Sequence, residues 1–212
     1  RPQHALDRLL CTEADIMPFP VAFESYVAAG YGVIPRLSAD KKPLYAQMLA
    51  KAKWQNILER WHTPYHQRLT YLLRRARMHY ENVILIDLHS MPDNPNSPKR
   101  TRFYPAASRR LPDFVFGNLH GATLTQNSVG RIDTVMEQTG YDWHWNTPYA
   151  GGFITRHYGL HSGEDNTIPD VEVLQIEVNR RLYTTKNATL DDDRMKAIKR
   201  VIDQIVTMLS NG

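Results

Sequence analysis

The stretch Val83-Ile84-Leu85-Ile86-Asp87-Leu88-His89-Ser90-Met91-Pro92 constrains this chain more than any other. Five of the six residues at 83–88 are apolar, and three of those are β-branched. An apolar run of this length, closed by polar residues and a proline, reads as a strand buried on both faces. Such a strand belongs inside an α/β sheet, and the carboxyl end of its strands is where an open α/β sheet places its chemistry. Asp87 and His89 lie two residues apart at that end, so an extended backbone points both to the same side. A histidine there can coordinate a metal or move a proton. The plain alternative is a histidine that caps the strand and bonds backbone.

At 212 residues the chain is long enough for one domain with a substantial core. It is expected to form a single domain over residues 1–212. No apolar run approaches the length of a membrane span, so no membrane partner is expected. The net charge of +4 is spread along the chain. Its two short basic clusters, Arg74-Arg75-Ala76-Arg77 and Lys99-Arg100-Thr101-Arg102, are not interleaved with an aromatic platform. Nucleic acid is therefore not expected as a partner, and an anionic small molecule accounts for the same charges. The single cysteine, Cys11, rules out an internal disulfide and any cysteine-based zinc cluster. It fits a reducing compartment such as the cytoplasm. The chain opens on Arg1-Pro2 without a methionine, which points to an absent beginning.

Residues 1–29 have little periodicity and are punctuated by Pro18 and Pro20, so they read as irregular. Residues 30–36 read as a short strand or turn ending in Arg36. Spacings of three and four predict a helix over 44–60, with Met48, Leu49, Ala52, Ile57, Leu58 and Trp61 as its stripe. Pro64 is expected to interrupt before a second helix over 65–80, carried by Leu69, Leu72 and Leu73. His62 and His66 are four apart, a spacing that can bind metal on a helix, but Pro64 between them argues against a shared face and favours capping or packing. The polar, proline-rich segment 91–112 is too long for a simple connection and reads as a functional loop or flap. A short strand at 113–117, a turn at 118–121 and a helix over 126–138, stopped by Gly140, follow. Residues 141–145 alternate like an edge strand. Gly151-Gly152 reads as a turn, and the double glycine allows the backbone to approach a ligand or another backbone closely; 153–156 then resumes as a strand. Over 171–178, Leu174, Ile176 and Val178 share one strand face and Gln175 and Glu177 share the other. The polar pair points either into a cleft or out from an edge. An amphipathic helix closes the chain over 190–209, with Asp191, Asp192 and Asp193 at its amino end.

Six motifs then carry a resemblance. They are Gly32-Val33-Ile34-Pro35-Arg36, Pro64-Tyr65-His66, Ile86-Asp87-Leu88-His89-Ser90-Met91-Pro92, Pro112-Asp113-Phe114-Val115-Phe116-Gly117, the run from Pro148-Tyr149-Ala150-Gly151-Gly152 through Gly159, and Leu174-Gln175-Ile176-Glu177-Val178-Asn179-Arg180-Arg181-Leu182-Tyr183. In this order the chain resembles the N-formylglutamate amidohydrolase family, from its start to about Tyr183. That family looks like a branch of the zinc carboxypeptidase and aspartoacylase-like hydrolases. The resemblance implies an α/β fold with a mixed, mostly parallel sheet flanked by helices. It implies zinc-dependent hydrolysis of an N-acyl amino acid, with N-formyl-L-glutamate giving L-glutamate and formate.

By the same resemblance His89 is a zinc ligand, Asp87 is its supporting neighbour and Glu177 is the general base. Arg1, Arg36, Arg156, Gly151 and Gly152 hold the small anionic substrate. The relatives also carry an earlier Pro-His-Ser-Gly-like segment with further zinc ligands, and it has no counterpart here. Catalytic zinc ordinarily takes about three protein ligands, and the spacing of His66 and His120 does not mark them as replacements. The competing reading is a non-catalytic, anion-binding or regulatory relative on the same fold.

Overall fold

The computed structural model describes residues 33–38, 42–46, 49–93, 110–160, 169–185, 187 and 189–211. The expected irregular segment 1–29, most of the flap at 91–112 and most of the loop at 159–169 lie outside the described residues. The chain divides into two compact units, Arg1–Leu72 and Leu73–Gly212.

In the first unit Ile34, Leu49, Trp54 and Leu58 form a small buried cluster, with Val33 and Ile57 packed against it. Helix α1 (Lys51–Ile57) leads through a π-helical stretch, Leu58–His62, into helix α2 (Thr63–Arg77). The expected break at Pro64 does not occur. Proline removes the N–H that would bond the carbonyl four residues back, and its ring crowds that carbonyl. A wider π turn just before it relieves both problems without ending the helix. His62 and His66 consequently do share a face, with ring centroids 4.5 Å apart. Helix α1 begins later than the periodicity suggested, and both Trp61 and Leu72 are exposed rather than part of a buried stripe.

Among the described residues, the second unit is built on a four-stranded sheet. Its strands are β1 (Ile84–Met91), β2 (Phe114–Gly117), β3 (Trp143–Trp145) and β4 (Glu172–Asn179), in the order β1-β4-β2-β3. The β1–β4 and β2–β3 pairs are parallel, and β2–β4 is antiparallel. This is the mixed, mostly parallel sheet that was expected. One face carries Ile84, Ile86, Leu174, Ile176, Val178, Phe114 and Phe116 into the main core. That core is covered by helices α3 (Gln126–Glu137) and α5 (Asp192–Ser210), which pack on each other. Ile132, Val135 and Met136 from α3 meet Ile198, Val201 and Ile205 from α5. Thr125 caps α3 by accepting from the Ser128 N–H, and Asp191 caps α5 by accepting from the Arg194 N–H. Gly140, at φ +71°, follows α3 as its stop.

Two expectations fail in this unit. Strand β1 is not buried on both faces. Among the described residues it is an outer strand of the sheet, runs on through His89 to Met91, and leaves Leu88 57% exposed. Residues 153–156 are not a strand but the first turn of helix α4 (Phe153–Leu160). The β-favouring Phe-Ile-Thr run is overruled by packing, because helical spacing buries Thr155 and Tyr158 and sets Gly159 close against Thr123 and Val173. Helix α4 packs on β4 from the face that carries Val173 and Gln175, opposite the main core. No helix among the described residues is long and apolar enough to cross a membrane.

Candidate active site

Strand β4 is central, with β1 on one side and β2 on the other. Its alternation sends Leu174, Ile176 and Val178 into the main core and Gln175 and Glu177 to the opposite face. Neither polar residue is on a wet edge. Gln175 is 4% exposed and Glu177 is 8% exposed. Such groups are tolerated inside a protein only when hydrogen-bonded. Here the Gln175 side-chain amide donates to Glu177 Oε1 at 3.1 Å.

The parallel register extends this polar strip across β1. Asp87 pairs with Gln175, and His89 pairs with Glu177. Adjacent strands lie about 4.8 Å apart and paired residues point to the same face, so four polar side chains form a two-by-two grid. Within it, His89 Nε2 lies 3.0 Å from Asp87 Oδ1. The His89 side chain is 47% exposed and that of Asp87 18% exposed, so the grid grades from solvent at the histidine to the interior at the glutamate. On the other flank, Val115 pairs with Glu177 and Gly117 with Gln175.

The Gly-Gly segment lies over this strip. A Cβ on Gly117 would come within 2.8 Å of the Ala150 carbonyl carbon and the Gly151 nitrogen. Gly151 has φ +130°, a conformation open to glycine, and a Cβ on Gly152 would meet Gln175 Oε1 at 3.2 Å. The entry to α4 thus rests on the sheet because glycines stand on both sides of the contact. Arg156 follows on α4 and is half-buried.

The carboxyl ends of β1 and β4 are tied to the entry of β2. Asn179 Nδ2 donates to the Pro112 carbonyl at 3.2 Å and to Asp93 Oδ1 at 3.3 Å. Arg181 donates to the Leu111 carbonyl at 2.9 Å and pairs with Asp93 and Asp113.

The structure therefore brings together Asp87, His89 and Glu177, with Gly151, Gly152 and Arg156 on the segment packed against the same strand. Arg36 is exposed in the first unit, and Arg1 lies outside the described residues. His120 sits in the turn after β2, with its N–H bonded to Asn146 Oδ1. Because β2 runs antiparallel to β4, that turn lies toward the amino end of β4, away from Glu177. Sequence reasoning assigned no role to Gln175 or Gly117. The two-residue spacing from Glu177 was the available signal for Gln175; Gly117 had none beyond its place at the end of an apolar strand.

The chain matches the model of the N-formylglutamate amidohydrolase family over residues 5–184. It belongs to that family. It is 28% identical over 189 residues to an N-formylglutamate deformylase of Pseudomonas putida, covering 87% of this chain and 66% of the relative. A second N-formylglutamate deformylase, from Pseudomonas aeruginosa, is 28% identical over 190 residues with the same coverage. Among solved structures, the N-formylglutamate amidohydrolase of Ralstonia eutropha JMP134 superposes with a TM-score of 0.71 at 27% identity. That likeness covers 91% of this chain and 65% of the solved one. The chain thus spans just under two-thirds of the length of these relatives. All six motifs read from the sequence fall within the matched region.

A zinc site is a stricter test. His89, backed by a carboxylate on its other nitrogen, is the kind of donor that zinc takes. Among the described residues, however, no three His, Cys, Asp or Glu side chains are grouped to hold an ion. The described residues do not make up a zinc site by themselves.

Proposed function

We propose that this chain hydrolyses the amide bond of N-formyl-L-glutamate, giving L-glutamate and formate, on a zinc carboxypeptidase-like fold. The observation that carries the reading is the parallel register of β1 on β4. It sets His89 beside a buried glutamate at the carboxyl ends of two strands. Glu177 takes a proton from the attacking water as the oxygen–carbon bond forms at the formyl carbon. When the carbon–nitrogen bond breaks, Glu177 delivers that proton to the departing amine, so it ends the cycle as it began. Arg156 is the cation on the segment packed against β4 and is assigned to a substrate carboxylate, with Arg1 and Arg36 as further candidates. Zinc is part of the proposal. His89 would supply one nitrogen, Asp87 would hold its ring, and the remaining ligands would come from outside the described residues.

Family membership and the two deformylase relatives support the substrate. The test is formate release from N-formyl-L-glutamate by the full-length protein and its Glu177→Gln variant. Loss of a general base lowers kcat by about 10²–10⁴-fold, with an unchanged circular dichroism spectrum. Parent-level activity in that variant would reject the role of Glu177. Substrate binding without formate release in the parent would reject catalysis. Metal content by mass spectrometry tests the zinc reading: it falls in His89→Ala, and equal content in parent and variant would remove His89 from the ligand set.

A further inference from the structure

We propose that Gln175 is a positioning residue, whose side-chain amide orients the Glu177 carboxylate toward the attacking water. The inference rests on the assignment of Glu177 as the base. On one face of a strand, residues two apart stand about 6.6 Å from each other. Glutamine has the length to reach along that face to its neighbour, and Gln175 Nε2 does so, donating to Glu177 Oε1 at 3.1 Å.

The amide is itself held by the fold. Its carbonyl oxygen lies where a Cβ on Gly152 would approach to 3.2 Å. Its register partner on β2 is Gly117, whose side-chain space is filled by the Ala150 and Gly151 backbone. Its register partner on β1 is Asp87. A side chain enclosed on three sides and 4% exposed has few rotamers to choose from. The direction of its N–H is therefore set by the sheet and by the entry to α4.

The choice of residue also needs a reason. Val173, two positions earlier on the same face, is apolar and packs against α4. An apolar residue at 175 would pack there as well, without the cost of burying an amide. Of the two amides that flank Glu177 on this face of β4, Asn179 donates to the Pro112 carbonyl and Asp93, whereas Gln175 donates to the carboxylate. Gln175 acts in the same way as the outer partners that orient functional groups in other active sites, whose loss lowers activity by about 10–100-fold.

The experiment measures formate release from N-formyl-L-glutamate by the full-length protein. Its variants are Gln175→Met, Gln175→Leu, Glu177→Gln and the Gln175→Met/Glu177→Gln double substitution. Methionine keeps the unbranched shape and leucine is an apolar residue of similar size, and both remove the amide donor without adding a charge beside Glu177. Each is expected to lower kcat by about 10–100-fold with KM within about threefold. If methionine impairs folding, as judged by circular dichroism, the leucine variant decides.

The double substitution is expected to lie within about twofold of Glu177→Gln alone, because a residue acting through Glu177 has nothing left to orient. A kcat within about twofold of the parent in both single variants would overturn the proposal. So would a loss of the same size in both backgrounds, or one carried by KM. Failure of the underlying reading looks different: Glu177→Gln itself would then keep parent-level activity.

Discussion

Gly117→Ala tests the close approach on which the site depends. The added methyl would sit 2.8 Å from the Ala150 carbonyl carbon and the Gly151 nitrogen, and 3.0 Å from the Ala150 oxygen. These are backbone atoms, so no side chain can rotate out of the way. Forcing a methyl into a well-packed site costs about 1–3 kcal/mol. Against that, replacing glycine stiffens the unfolded chain and returns about 0.4–1 kcal/mol. The net is a destabilisation of about 1–2 kcal/mol. At about 2–4 °C per kcal/mol for a chain of this size, Tm falls by roughly 2–8 °C. Gly130→Ala is the matched control. Gly130 lies in α3 with nothing within 4 Å of its would-be Cβ. There alanine removes a helix penalty of about 0.5–1 kcal/mol and raises Tm. Thermal unfolding followed by circular dichroism reads both variants. A Gly117→Ala protein that melts at or above the parent would refute the contact between β2 and the Ala150-Gly151 segment.

Two further substitutions probe the supports of the sheet. Arg181→Met removes the partner of Asp113 and Asp93 at a site where the Arg181 and Asp113 side chains are each 15% exposed. Breaking a nearly buried pair from one side costs about 2–4 kcal/mol, read as a lower urea midpoint, and an unchanged midpoint would deny the clamp its role. Thr125→Ala removes the acceptor for the Ser128 N–H at the start of α3. That loss costs about 1 kcal/mol, and hydrogen exchange in the first turn of α3 should quicken while that of β4 is little changed.

How far the sequence could be read follows from what each residue answers to. The alternation at 171–178 was legible because strand β4 has an apolar core on one side and a polar strip on the other. The Asp87–His89 contact was legible for the same reason, since two residues apart on a strand means one face. Strand β1 was misread because an apolar run is ambiguous: Ile84 and Ile86 do pack on the core, but Leu88 is exposed. Helix α4 was misread because its local preference favours a strand, whereas Thr155, Tyr158 and Gly159 answer to contacts from distant segments. The same limit hid Gln175. Its place beside Glu177 follows from spacing, but the direction of its amide depends on Gly152 and Gly117, which only the folded register brings near.

The two faces of this sheet solve opposite problems. The apolar face carries the main core, with α3 and α5 covering Phe114, Phe116, Leu174 and Ile176. The other face buries a carboxyl group, Glu177, at the site of the proposed reaction. An unsupported carboxylate there would be costly, and an extended cover would exclude the substrate. The fold meets both conditions by covering only part of the strip. The entry to α4 closes over Gln175, whose amide then supports Glu177 from the side, while the β1 flank at His89 stays open to solvent. That arrangement requires a strand with no side chain at the point of closest approach, and β2 ends there in Gly117. The proposed role of Gln175 and the packing of the sheet therefore meet in one constraint at this position. A larger residue at 117 should lower kcat through Gln175 as well as Tm, and a variant that lost stability with kcat unchanged would separate the two.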